Sequence, residues 1–209
     1  MEAMAEFPDK FFDLAIVDPP YGLAGRVTEG GDSNSQSRKF RESYRGKLWD
    51  IVPSKDYWAE LFRVSKNQIV CGSNYFELPA SRGIVFWDKK QRMPTFSSGE
   101  LIWTSFDRPA KIFEHQSTDL DRFHPTQKPI ALYKWLLTNY AKPGDKILDT
   151  HLGSGSSRIA AWDMGFDFWG YEIDADYFND HEKRFKNHIS KPVLFEPNQM
   201  YNFEQAKMF

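Results

Sequence analysis

Three short stretches carry side chains whose types and spacing could do chemistry. The first is "LAIVDPPYGLAG", residues 14–25, where an apolar run ends in Asp18, Pro19, Pro20 and Tyr21. Two prolines after a carboxylate make a rigid, exposed corner, because each fixes its own φ and neither offers an N–H to a sheet. The Pro19 carbonyl can then point outward beside Asp18, with the flat ring of Tyr21 close by. A planar ring bearing an exocyclic amine suits that corner: the amine donates to the carboxylate and the carbonyl, and the ring stacks on tyrosine. A strand-ending turn with an Asx cap would use the same Asp18 without needing the tyrosine.

The second stretch is "KILDTHLGSGSSRIAAW", residues 146–162, with Asp149 ahead of a Gly153-Ser154-Gly155 turn. Glycines there let backbone approach a ligand where a Cβ would obstruct it. The third is "FWGYEIDADY", residues 168–177, which places Glu172 twenty-three residues beyond Asp149. An acid at the end of the neighbouring strand can accept hydrogen bonds from both hydroxyls of a ribose. Together these features describe a site for an adenosine-containing cofactor. A dinucleotide fingerprint would want a third glycine where Arg158 stands, and the Gly-Lys-Ser/Thr of a P-loop is absent. A tight packing turn would use the same glycines.

These residues need elements to position them. Strands are predicted over 12–17, 68–72, 84–87, 100–105, 146–148 and 168–173, each short, apolar or β-branched, and bounded by Gly, Pro or Asp. Ser54 can cap a helix with Trp58, Leu61, Phe62 and Ser65 on one face, and Pro129 can open another that runs to Tyr140 and stops at "KPGD". A third helix is predicted over 156–164, and a fourth after Asp174 with Tyr177, His181, Phe185 and Ile189 at near-helical spacing. Strand alternating with helix implies an α/β domain, with a largely parallel sheet covered on both faces. Ligands bind such sheets at the carboxyl ends of the strands, where all three stretches fall.

A chain of 209 residues suits one domain, taken as 1–209. The formal charge is −2, so any polyanion must be met locally. Residues 22–50 form the compositional outlier: glycine-rich, without apolar period, and read as a long mobile loop. It carries Arg26, Arg38, Lys39, Arg41, Arg45 and Lys47 against Glu29, Asp32 and Glu42. A merely solvated loop has the same composition. The single cysteine, Cys71, lies in an apolar run and is read as core in a reducing compartment. No targeting leader or membrane-length apolar run is seen, so a cytoplasmic protein is expected. The five histidines show no metal-site spacing, and no metal is expected.

"DPPY", "HPTQKP" at 124–129, "DTHLGSG" and "GYEID" in this order resemble the amino-methyltransferases of bacteria and their phages that modify adenine N6 or cytosine N4 in DNA. The catalytic motif precedes the cofactor motif, as in one permuted subgroup, and the likeness extends over most of 12–188. The resemblance implies a doubly wound, Rossmann-like sheet and S-adenosyl-L-methionine as methyl donor. It implies Glu172 on the ribose, Asp149 and Gly153, Ser154 and Gly155 around the methionine end, and Thr126 and Lys128 closing the pocket. It implies a double-stranded DNA substrate whose base is flipped onto Asp18, Pro19, Pro20 and Tyr21, with the basic loop closing over phosphates. An Asp opening the catalytic motif accompanies adenine more often than cytosine in the family.

Three departures from the family pattern stand out. His151 occupies the place of a usual phenylalanine beside the cofactor, which implies weaker cofactor binding. The acid-ended strand usual about a dozen positions before the catalytic motif has no counterpart, so either that first strand is lacking or another segment fills the edge. The stretch between "ELIWTSF" and "HPTQKP" is too short for a target-recognition module, leaving selectivity to loops or an accessory specificity partner. The tail after 190 is apolar without period, which suits a homodimer contact or an unstructured tail equally. Two other functions stay open at this stage: an inactive relative that binds DNA or a partner, and amino-methylation of RNA or protein.

Overall fold

The computed structural model describes residues 2–23, 50–92, 97–117 and 127–191. The loop cations Arg26, Arg38, Lys39, Arg41, Arg45 and Lys47, together with Thr126 and the tail beyond 191, lie outside these residues.

Strand β1 (Phe12–Val17) runs through the middle of the molecule and is buried on both faces. Its side chains divide between two cores. Leu14 and Ile16 join Ile69, Ile102, Ile147 and Leu136 on one side, while Phe12, Ala15 and Val17 join Val70, Leu148 and Leu61 on the other. An apolar run with no polar alternation is what burial on both faces demands.

Six more strands complete one sheet: β2 (Ser65–Cys71), β3 (Ile84–Asp88), β4 (Gly99–Thr104), β5 (Lys111–Glu114), β6 (Lys146–Asp149) and β7 (Asp167–Gly170). Their order across the sheet is β5-β3-β4-β2-β1-β6-β7. Pairing is parallel except that β4 runs antiparallel to both β2 and β3. β5, a four-residue edge strand, is missing from the sequence reading, and β7 ends at Gly170, short of the expected 173, so Glu172 stands in the loop beyond it.

Among the described residues the helices are α1 (Glu2–Ala5), α2 (Lys55–Val64), α3 (Ile130–Tyr140), α4 (Ser156–Asp163) and α5 (Ala175–Ile189). The caps act as expected: Ser54 accepts from the Tyr57 N–H, and Asp174 from those of Asp176 and Tyr177, satisfying amides the helices leave free. α2 passes directly into β2 at Ser65, whose hydroxyl donates to the Leu61 carbonyl. Where a leading strand would be sought, α1 packs instead, with Met4 buried in the second core.

Candidate active site

β1 turns to β2 on one side of the sheet, and β6 to β7 on the other, so the chain reverses direction of travel between β1 and β6. A crevice forms at such a switch point, outside the carboxyl ends of the strands. Here it is a cavity of about 1000 Å³, lined among others by Asp18, Pro19, Pro20, Tyr21, Lys128, His151, Gly153, Ser154 and Glu172. The residues singled out in three distant stretches of sequence thus share one space.

On the β6–β7 side, Glu172 Oε2 accepts from the Gly153 N–H at 2.8 Å and Oε1 from the Asp174 N–H at 2.9 Å. The carboxylate is fixed in place, and each oxygen keeps a lone pair for a ribose hydroxyl. Ile173 beside it is 90 % exposed and lines the cavity, an apolar surface for a flat ring that the sequence reading passed over. Asp149 and Gly155 lie off the wall. Asp149 is buried beneath the turn, accepting from the Ser157 hydroxyl at 2.5 Å and the His151 N–H at 2.9 Å. Burial raises its carboxyl to about 7 despite those bonds. Its place is to shape the turn from below. Gly155 has φ +74°, and a Cβ there would sit 3.1 Å from that of His181 on α5.

His151 does stand in the wall. Its Nδ1 meets the Thr150 hydroxyl at 3.0 Å, which in turn meets the Tyr57 hydroxyl at 2.7 Å, and its ring lies edge-on to Tyr57. Burial lowers the imidazole to about 4, so at neutral pH the wall carries no charge. An uncharged wall fits a cationic sulfonium better than an imidazolium would.

On the β1 side, both oxygens of Asp18 are engaged. Oδ1 accepts from the Tyr21 hydroxyl at 2.7 Å, and Oδ2 meets Lys128 Nζ at 2.6 Å. Lys128 also reaches Glu100 at 3.0 Å, and Glu100 pairs with Lys89 at 3.1 Å. Burial lifts the Asp18 carboxyl above its ordinary range, Glu100 adding to the rise, against the opposing pull of Lys128. Burial acts on Glu100 too, but Lys128 and Lys89 outweigh it and hold its carboxyl low. The same two carboxylates overcome the burial of Lys128 and keep it an ammonium. Two buried carboxylates and two ammonium groups form a closed, neutral network.

Two features of this side differ from expectation. One face of the Tyr21 ring is already stacked on Tyr75, at 4.6 Å and 14°, and of the two rings it is Tyr21 that lines the cavity. Gly72 makes that possible: it has φ +64°, and a Cβ there would fall 2.2 Å from Tyr21 Cζ. Lys128, assigned by resemblance to cofactor closure, is bonded to the Asp18 carboxylate. Glu100 was missed. The signal was the Gly-Glu opening of "GELIW": because β4 is antiparallel, its first residues stand among the carboxyl ends of β1 and β2.

Among the described residues, Asp18, Cys71 and Glu100 offer metal-type donor atoms within 4.8 Å of one another. The Lys128 ammonium sits against both carboxylates and supplies the positive charge there. The cations of "WDKKQR", a further candidate for phosphate contact, are each paired inside the chain: Lys89 with Glu100, Lys90 with Glu114 and Arg92 with Asp88.

Comparison with known proteins agrees with this geometry. Residues 33–183 match the N6/N4 methyltransferase family model, described as DNA methylase; the match takes in the glycine turn and Glu172 and begins after Tyr21. The Type II methyltransferase M2.MboI of Moraxella bovis is 23% identical over 245 residues, covering 93% of this chain and 87% of that protein. M1.MboII of the same organism is also 23% identical, covering 82% and 88%. In fold the chain is similar to a DNA modification methylase of Thermus thermophilus solved with S-adenosyl-L-methionine (TM-score 0.56, 17% identity, 91% and 93% covered). It is also similar to the cytosine-N4-specific PvuII DNA methyltransferase (TM-score 0.59, 10% identity, 97% and 87% covered). With a family model matched over well over half its length, on a fold its solved relatives share, the chain belongs to the N6/N4 DNA methylase family.

Proposed function

We propose that this chain is an S-adenosyl-L-methionine-dependent methyltransferase acting on the N6 amino group of adenine flipped out of double-stranded DNA. The observation that carries the reading is the shared cavity: a carboxylate suited to an amine, Asp18, and one suited to a ribose, Glu172, open into the same space. A volume of about 1000 Å³ lies at the upper end of ordinary ligand sites and suits two ligands side by side.

The bound cofactor supplies an electrophilic methyl group. Glu172 and the Gly153–Ser154 turn would hold its ribose and methionine end, Ile173 would pack on its adenine, and the uncharged His151 would face its cationic centre. The target amine is a poor nucleophile, because its lone pair is delocalised into the ring. Hydrogen bonds from the amine to Asp18 and to the Pro19 carbonyl favour a pyramidal nitrogen and aim its lone pair toward the methyl. Holding the two reacting atoms near contact supplies much of the remaining rate. Pro20 keeps the corner rigid, and Tyr21 with Tyr75 gives an aromatic floor that offsets part of the cost of unstacking the base.

Arg26, Arg38, Lys39, Arg41, Arg45 and Lys47 are assigned to the DNA backbone on the ground of local charge in a chain of net charge −2. Adenine is favoured because the catalytic motif opens with Asp18, as in most adenine-modifying members of the resembling family. The fold does not decide the base, since PvuII methylates cytosine N4 on the same architecture. Methyl-labelled cofactor, mixed-sequence duplex DNA and separation of the digested nucleosides by mass spectrometry test the choice. Label in N6-methyladenine is expected; label in N4-methylcytosine overturns the base and keeps the site.

A further inference from the structure

Each oxygen of Asp18 already has a partner within the chain: one the Tyr21 hydroxyl, the other the Lys128 ammonium at 2.6 Å. An incoming amine therefore meets an engaged carboxylate. Lys128, with its side chain 4 % exposed, presents what such an amine presents, a nitrogen with protons to donate, at the atom the amine would use. It also already touches a second carboxylate. Glu100 Oε1 lies 3.0 Å from the same Nζ, and Glu100 is steadied from behind by Lys89.

We propose that Lys128 is an internal stand-in for the substrate amine, handed from Asp18 to Glu100 when the base enters, and that Glu100 is the positioning residue that makes Asp18 available. The inference rests on reading Asp18 as the amine acceptor. In the hand-over Lys128 keeps its ion pair with Glu100, while Asp18 exchanges an ion pair for a hydrogen bond from the neutral amine and keeps the one from the Tyr21 hydroxyl. A buried ammonium that lost one carboxylate without gaining another would be costly, which is why the second carboxylate must already be in contact. The groups facing Asp18 are then Tyr21 and Lys128 at bonding distance, with Glu100 and, when ionised, Cys71 and Asp149 acting through their charge.

The test compares four full-length proteins: wild type, Glu100→Gln, Lys128→Met and the double variant. Each is assayed for single-turnover methylation of mixed-sequence duplex DNA at saturating cofactor, with cofactor affinity from calorimetry as a check that the other half of the cavity is intact. In Glu100→Gln the ammonium has Asp18 as its sole carboxylate, so the rate should fall at least tenfold while the cofactor dissociation constant stays within about twofold. Removing the competing lysine as well should restore part of that loss, leaving the double variant several-fold faster than Glu100→Gln. A double variant no faster than Glu100→Gln overturns the hand-over, because two merely structural losses would add. If the wild type itself places no label in DNA, the amine-acceptor reading falls first and the hand-over falls with it.

Discussion

The chemistry of this site turns on which side chains are charged. The His151 imidazole, set in the cofactor wall and lowered to about 4, should stay neutral through the physiological range. Its ring resonance, followed by NMR against pH, should titrate near 4; a midpoint near the ordinary 6.5 would contradict an uncharged wall. The effect on stability has a definite sign. Between about 4 and 6.5 the unfolded chain binds a proton at His151 that the folded chain does not, so this residue makes stability rise with pH across that window. Asp149 works the other way. Raised from 3.8 to about 7, it binds its proton more tightly in the folded chain, and its contribution is lost as pH climbs through 7. Over the shared window the two slopes oppose and largely cancel. Denaturation of His151→Phe at a series of pH values should therefore uncover the falling slope of Asp149, and a profile unchanged from wild type would contradict the assignment of His151.

At the scale of elements, the strands and helices that build the site were largely legible, because runs such as Phe12–Val17 and caps such as Ser54 and Asp174 follow from local chemistry. What was not legible is directional. A period-two pattern reads the same both ways along a strand, so nothing in "GELIWT" says that β4 runs antiparallel and delivers Glu100 to the head of β1. β5 has four residues and an exposed edge position, too short for alternation to register. The stacking of Tyr21 on Tyr75 depends on a left-handed glycine turn that brings a distant loop against it, and pairwise packing of that kind leaves no periodic trace. The DNA contact proposed for the cations between Arg26 and Lys47 rests on charge. Replacing Arg38, Lys39 and Arg41 together with alanine should weaken binding to mixed-sequence duplex DNA and flatten the slope of log affinity against log salt by about 0.9 for each phosphate no longer neutralised. An unchanged slope would remove these three residues from the interface.

At the scale of the whole molecule, two half-sites meet at the switch point of one sheet: the corner at the end of β1, proposed for the amine, and the turn at the ends of β6 and β7, proposed for the cofactor. Each was a separate motif in the sequence, and parallel pairing of β1 with β6 puts them side by side. Among the described residues no helix is long and apolar enough to cross a membrane. The central claim is that methyl transfer to a base amine depends on Asp18 and not on the cofactor cradle alone. The most direct measurement is labelled methyl transfer to mixed-sequence duplex DNA by wild type and Asp18→Asn, with cofactor binding followed in both. Label in the wild-type product, a rate lower by about 10²–10³-fold in the variant as for other losses of a preorganised polar partner, and unchanged cofactor affinity are expected. Equal label from both proteins would contradict the assignment of Asp18 and, with it, the reading of the site.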